Sequence, residues 1–173
     1  MSTATDLLRD GFARIEGVLA SAVSGLAPAA LEARIDPDAN SITWLAWHLT
    51  RVQDDHISDV AGTEQVWTAA GWQERFGLPF GSAEFGFGHT SAQVAQVRGI
   101  SAEDLLGYHR DVHQATQKYL DTIDDADFDR VVDENWDPPV TLGVRLMSVL
   151  AEDLQHAGQI SYITGVLARQ GIG

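Results

Sequence analysis

Residues 149–162 read VLAEDLQHAGQISY and have the apolar spacing of a buried amphipathic helix. At about 100° per residue, Glu152, His156 and Gln159 fall within one narrow stripe of that helix. A carboxylate, an imidazole and an amide on or beside a core-facing stripe are costly unless each is satisfied by a partner. The stretch therefore predicts a packed helix that carries a polar site on its inward side.

The same apolar period predicts four long helices along the chain. They are expected from Thr5 to Leu26, from Asn40 or Ser41 to Gly62, from Ser101 to Ile123, and from Thr141 to Gly171. Short helical turns are expected at Ala29–Arg34 and Trp67–Phe76, and an extended segment at Arg130–Asp133. We predict an all-α four-helix bundle that forms a single domain over residues 1–173.

The connection between the second and third helices reads WTAAGWQERFGLPFGSAEFGFGHTS and has no sustained period. A loop of this length inside a compact domain is usually either functional or disordered. Its many tryptophan and phenylalanine residues argue against disorder. We expect a long ordered connection, rich in glycine and aromatic residues, that folds over one end of the bundle.

The charge balance and the absence of cysteine limit the classes of function. Acidic residues outnumber basic ones 25 to 11, which gives a formal charge of −14 and disfavours nucleic acid and membrane surfaces as partners. Without cysteine, any thiol chemistry requires a sulfur atom from a cosubstrate. The sequence has neither a secretory signal nor an apolar run of about 20 residues, so we expect a cytoplasmic location.

An imidazole on the second helix also points inward. His48 shares a helical face with Leu45 and Val52, while Glu152 and His156 lie one turn apart on the fourth helix. A divalent metal would satisfy all three side chains. The spacing also fits a hydrogen-bonded core histidine and a partly wet Glu–His pair, so on spacing alone the metal site and this structural interpretation both stay open.

A competing histidine pair, His109 and His113, has the i,i+4 spacing of familiar metal ligands. No glutamate follows the first histidine, so the pattern is not that of a metalloprotease. We place His109 at the edge of the inward face of the third helix and His113 further out.

Several neighbours of the predicted metal site are candidates for binding a substrate. Asp55 lies two turns after His48 and is a candidate to orient a ligand or bind an amine. Arg145 lies two turns before Glu152 and is a candidate to hold an anionic group. Trp44, His89 and Phe87 are candidate pocket walls.

Four stretches carry a resemblance to a known family. SITWLAWHLTRVQDDH, then GWQERFGLPF with GFGHTSAQVAQVR, then WDPPVTLGVRLMSVLAEDLQHAGQISYITGVL resemble the DinB superfamily in motif order, over residues 41–168. The sequence is similar to the actinobacterial branch that contains mycothiol S-transferases and, more distantly, to mycothiol-dependent maleylpyruvate isomerase.

The resemblance implies a metal at one end of the bundle core. The typical ligand set of the superfamily is three histidines, and the isomerase-like branch uses His, Glu and His instead. The matching positions are His48 in WHL, Glu152 in EDLQH and His156 in QHAGQ. Gln159 stands where some relatives carry a further histidine, so we expect it to line the pocket rather than to bind the metal.

The resemblance also implies a metal-dependent S-transferase that joins a low-molecular-weight thiol, such as mycothiol, to an electrophilic small molecule. Bundles of this kind often pair, and the apolar stripes leave room for a second copy, so a homodimer is a candidate assembly. The donor set suits zinc, and nickel, iron and manganese are compatible. Two alternatives stay open: a hydrolase or isomerase of the same superfamily, and a metal-binding stress protein without catalytic activity.

Overall fold

The computed structural model describes residues 3–172, and 64% of these residues are helical. In chain order the helices are α1 Ala4–Val23, α2 Pro28–Glu32, α3 Ile42–Ala61, α4 Val66–Ala69, α5 Trp72–Phe76, α6 Ser91–Val94, α7 Ala102–Leu120 and α8 Leu142–Arg169. A 3₁₀ turn at Asp127–Asp129 precedes a small hairpin of β1 Val131–Asp133 and β2 Val140–Thr141. The predicted all-α class is confirmed.

The four long helices form the bundle. Helices α7 and α8 each pack against both α1 and α3. Paired contacts give their directions: α3 meets α8 through His48 with Glu152 and through His56 with Arg145, so these two helices are antiparallel. No helix within residues 3–172 combines the length and the apolarity that crossing a bilayer requires.

The helix ends follow ordinary capping chemistry. The side chain of Ser41 accepts a hydrogen bond from the backbone N–H of Trp44 and begins α3, and Gly62 ends it with φ +65°. The predicted helix at Trp67–Phe76 is instead two short helices, because Gly71 between them adopts φ +73°. Helix α7 ends at Leu120 rather than at Ile123.

The long connection between α3 and α7 is anchored to the bundle by its aromatic side chains. Trp67, Trp72 and Phe76 surround Tyr108 of α7, with ring centroids 5.2, 5.8 and 5.8 Å from its ring. Edge-to-face and tilted pairs at these separations stabilise aromatic clusters. The connection is therefore an ordered part of the fold, as the sequence predicts.

A buried arginine fastens the next part of the connection to α3. Arg51 has no solvent exposure and donates hydrogen bonds to the backbone carbonyls of Ser82 and Glu84. Its charge is balanced by Asp54, whose carboxylate lies 3.6 Å away and also accepts the hydroxyl proton of Tyr108. These bonds fix the backbone just before Phe85, which reaches the predicted metal site.

The hairpin carries the chain from α7 to α8. The predicted extended segment at Arg130–Asp133 forms β1, which pairs antiparallel with β2. Thr141 then caps α8 by accepting a hydrogen bond from the backbone N–H of Val144. The hairpin thus lies beside the first turns of α8, on the side where the polar residues of α8 face α3.

Candidate metal centre

The fold brings together the three residues that the sequence selects as ligands. His48 projects from α3, while Glu152 and His156 project from successive turns of α8. Nε2 of His48 lies 3.3 Å, and Nε2 of His156 lies 3.1 Å, from the same Oε1 of Glu152. The potential ligand atoms all lie within 4.8 Å of one another.

Both histidine rings are oriented by hydrogen bonds on their far side. Nδ1 of His48 donates to the backbone carbonyl of Phe85, and Nδ1 of His156 donates to the side-chain Oε1 of Gln159 at 2.8 Å. A carbonyl oxygen only accepts, so the neutral rings carry their proton on Nδ1 and leave Nε2 as a bare acceptor. Such outer bonds are what fix the tautomer of metal-binding histidines.

Three acceptor atoms therefore converge without a proton among them. Two imidazole lone pairs and a carboxylate oxygen repel one another unless a cation lies between them. Donors about 2.0–2.1 Å from a tetrahedral zinc ion lie about 3.3 Å apart, which agrees with the two separations from Glu152 to the histidines. The residues present fit a divalent metal.

Burial differs across the centre. Desolvation lowers the pKa of His48 below its ordinary value, with the carbonyl of Phe85 acting in the opposite direction. His48 is thus held in the neutral form that binds metals. The Glu152 side chain, in contrast, is 40% exposed, so the centre is open on that side. An open side is typical of catalytic rather than structural metal sites.

Trp44 packs against both histidines of the cluster. Its ring stacks on His48 with centroids 4.5 Å apart, and its edge faces His156 at 6.3 Å. Its Nε1 donates to Nδ1 of His89 at 3.1 Å, and His89 in turn stacks on Trp47. Trp44 therefore contacts the ligand rings directly, and His89 acts on them only through Trp44. The role of both as pocket walls stays a prediction.

A cavity of about 470 Å³ opens beside the centre. Its walls come from α3, the long connection, the hairpin and α8: His48, Val52, His56, Phe85, Phe87, Asp133, Trp136, Val140, Val144, Arg145, Ser148, Val149 and Glu152. We call it the site cavity. Its size is that of a small-molecule site, and its walls are largely apolar, as such sites usually are.

Two of the predicted substrate-binding residues have other partners. Asp55 is absent from the site-cavity walls, and its carboxylate accepts a hydrogen bond from Gln65 Nε2 at 2.7 Å. Arg145 does line the site cavity, but its Nη2 donates to Asp133 at 2.9 Å. Asp133 therefore already balances the positive charge of Arg145, which the sequence analysis predicted to hold an anionic substrate group.

The sequence reasoning missed His56, Asp133 and Trp136, all of which line the site cavity. The face of α3 toward the cavity advances in steps of four residues, through His48, Val52 and His56, and so passes beside Asp55. That i,i+4 series is a signal that could have identified His56. Asp133 and Trp136 lie in the irregular hairpin, where no helical period marks a face.

The competing pair lies deeper than the sequence suggested. His109 and His113 are both buried, whereas His113 was expected to lie towards the surface. Nδ1 of His109 faces the hydroxyl oxygen of Thr50 at 3.2 Å, and Nε2 of His113 lies 3.6 Å from Glu16. In the described part of the chain they form no three-residue metal-binding group.

Comparison with known proteins identifies relatives of the chain. The family model for the DinB superfamily matches residues 12–160. A crystal structure described as the conserved protein of a locus from Enterococcus faecalis superposes with a TM-score of 0.88 at 29% identity, covering 95% of this chain and 96% of that one. A search of curated proteins found no match.

Proposed function

The chain belongs to the DinB superfamily, and on that premise we propose that it is a metal-dependent S-transferase. In this proposal it joins a low-molecular-weight thiol, of the mycothiol type, to a small electrophilic molecule. The superfamily includes metal-dependent enzymes, which supports a catalytic role for the centre.

The observation that carries the proposal is the convergence of three bare acceptor atoms beside the site cavity, which His48 and Glu152 line. His48, Glu152 and His156 would hold the ion, with zinc as our first choice and nickel, iron or manganese as the alternatives. When bound, such an ion lowers the pKa of a thiol, so that the nucleophilic thiolate predominates at neutral pH.

The chain's own residues prepare the site for that chemistry. Phe85 and Gln159 hold the two imidazoles with Nε2 towards Glu152, so no ring has to reorient when the cosubstrates arrive. The largely apolar walls of the site cavity favour an electrophile with an apolar body. Because the chain has no cysteine, the reactive sulfur belongs to the cosubstrate.

A fluorogenic conjugation assay tests the proposal. Fully metallated protein is incubated with monochlorobimane and, in turn, mycothiol, glutathione and coenzyme A, with and without a chelator. We expect conjugation that requires the metal and is fastest with one thiol. Absence of conjugation with every thiol would overturn the transferase assignment and leave the hydrolase, isomerase and non-catalytic alternatives.

The proposed chemistry also suggests where the protein works. Low-molecular-weight thiols are kept reduced inside cells. We infer a cytoplasmic location for this reason, and fractionation of the native host with an antibody against the protein would test it.

A further inference from the structure

A chain of hydrogen bonds links three residues that line the site cavity: His56, Arg145 and Asp133. Arg145 donates from Nη1 to Nδ1 of His56 at 2.8 Å and from Nη2 to Oδ2 of Asp133 at 2.9 Å. A guanidinium can only donate, so Nδ1 of His56 must be the acceptor. The ring proton of a neutral His56 therefore sits on Nε2.

The environment of His56 favours that neutral form. Burial and the adjacent charge of Arg145 both lower its pKa, against the opposing effects of Asp55, Asp59 and Glu152. The guanidinium bond to Nδ1 independently requires a lone pair at that nitrogen. His56 thus offers a fixed N–H donor at Nε2.

The donor is available to a molecule in the site cavity. Among the described residues, Nε2 of His56 has no hydrogen-bond partner. This nitrogen is also not among the unpaired polar atoms that are buried, so it is accessible from the cavity. The side chain is 29% exposed and lines the site cavity. An acceptor atom of an occupant can therefore reach this N–H without displacing a protein group.

The charges around the donor select a neutral acceptor. The charge of Arg145 is matched by Asp133, and the carboxylates of Asp55 and Asp59 also act on His56. The whole chain carries a formal charge of −14. A carboxylate or phosphate at this end of the cavity would meet net negative charge, whereas an uncharged carbonyl oxygen would gain the hydrogen bond without that repulsion.

Aromatic side chains at the mouth favour an apolar occupant. Phe87 of the long connection is 83% exposed, and Trp136 of the hairpin is 64% exposed, yet both line the site cavity. Large aromatic rings left in solvent beside a cavity are typical of a surface that binds an apolar partner. These features fit an occupant that is apolar over most of its surface and carries an uncharged oxygen.

We propose that the electrophile is a neutral, flat α,β-unsaturated carbonyl compound whose carbonyl oxygen accepts a hydrogen bond from Nε2–H of His56 while its apolar body lies against Phe87 and Trp136. This assignment rests on the thiol transfer proposed above and names the substrate class for it. It gives His56 a catalytic role and makes Arg145 the residue that positions it.

The addition requires no oxidant or further cosubstrate. The thiolate sulfur forms a bond to the β-carbon, the carbon–carbon π bond breaks, and its electron pair generates an enolate. The charge that develops on the enolate oxygen strengthens the hydrogen bond from His56. The α-carbon then takes a proton from solvent, which balances the proton that the thiol lost. Donors placed at a developing oxyanion are among the largest contributions to catalysis.

Two electrophiles separate this role from a structural one. Benzylideneacetone is a flat enone, whereas benzyl chloride reacts by loss of chloride and develops no oxyanion. We expect His56→Ala to lower kcat/KM for benzylideneacetone about 100-fold and that for benzyl chloride less than about threefold. His56→Gln, which keeps an N–H donor, should recover part of the loss. Equal losses with both electrophiles, or no loss, would overturn the assignment.

A binding measurement keeps this test independent of the transfer reaction. Benzylideneacetone is titrated into fully metallated protein without thiol, and quenching of tryptophan fluorescence reports the dissociation constant. His56→Ala should weaken binding about threefold to tenfold, as expected for one lost hydrogen bond. If the wild type conjugates no thiol but this difference is found, the transfer proposal fails while the donor assignment stands. Equal affinities would overturn the donor assignment.

Discussion

The backbone carbonyl of Phe85 accepts the Nδ1 proton of His48, so the long connection sets the orientation of a residue on α3. That connection is itself fixed to α3 by Arg51, which binds the carbonyls of Ser82 and Glu84. The centre therefore depends on two layers of support, one within the bundle and one in the connection. A substitution in the connection should therefore change the affinity for the metal without altering any ligand residue.

Gly86 is the residue at which this dependence can be tested. It adopts φ +94°, and a Cβ there would lie 2.9 Å from the Trp47 ring and 3.1 Å from Nδ1 of His48. Gly86→Ala should displace the Phe85 carbonyl and lower metal affinity about 10- to 100-fold, the effect typical of losing an outer partner of a ligand. Competition with a chromophoric chelator measures the affinity.

Gly88→Ala is the matched control for this experiment. Gly88 also has a positive φ, +72°, but a Cβ there would have no heavy atom within 4 Å. Both substitutions carry the strain of an L-residue at positive φ, of roughly 1 kcal/mol or more, but only Gly86→Ala meets His48. Equal metal affinities in the two variants would show that Phe85 does not orient the ligand.

Removal of a ligand should abolish stoichiometric metal binding. We expect His48→Ala and Glu152→Ala to lose the ion under conditions in which the wild type retains about one per chain, because two remaining donors bind a divalent ion weakly. Elemental analysis after gel filtration measures the content. Glu103→Gln, an exposed carboxylate in the first turn of α7, serves as the control and should retain the ion. Equal metal content in wild type and ligand variants would contradict the assigned set.

The sequence predicts the bundle and the metal cluster well because both depend on helical period. His48, Glu152 and His156 lie on faces that the apolar spacing defines, and antiparallel packing of α3 on α8 brings those faces together. Helical period does not predict the positions of side chains in the irregular segments of the chain. Asp133 and Trp136 reach the site cavity from a hairpin whose position depends on packing against α8.

The sequence pattern also did not predict how deeply His109 and His113 are buried. His113 has polar neighbours, which suggested a surface position, but α1 packs against α7 and covers it. The thiol, the electrophile and the homodimer stay predictions, since each depends on a partner molecule. The presence of a metal site is inferred from the convergence of three acceptor atoms. The identity of the metal depends on binding energies that the spacing of the ligand residues does not determine.

Arg51 should be among the residues most important for stability. Its guanidinium is fully buried, and Arg51→Met would leave the carboxylate of Asp54 buried without its cation. Loss of one partner of a buried pair costs about 3–5 kcal/mol, so we expect a decrease of that order in the free energy of unfolding by urea.

Arg14→Met tests whether the effect of Arg51 comes from burial. Arg14 pairs with Asp10 on the surface of α1, where both side chains are largely exposed. The unfolding free energy of the Arg14→Met variant should stay close to that of the wild type, because solvent screens exposed ion pairs. A similar loss of stability in both variants would contradict the role given to the buried network.

His109 should make the protein less stable in mild acid. Burial, together with the nearby His113, lowers its pKa to about 3 from the ordinary value of 6.5. Between these values the unfolded chain binds a proton that the folded chain excludes, so stability falls as the pH falls below 6.5, by about 1.4 kcal/mol per pH unit. In chelator, the loss of unfolding free energy from pH 7 to pH 5 should be about 2 kcal/mol smaller in His109→Gln than in the wild type. His48 and His56 titrate in both proteins and cancel in this difference. His109→Leu provides a second variant without a titrating group, and an unchanged pH dependence in both variants would contradict the assignment.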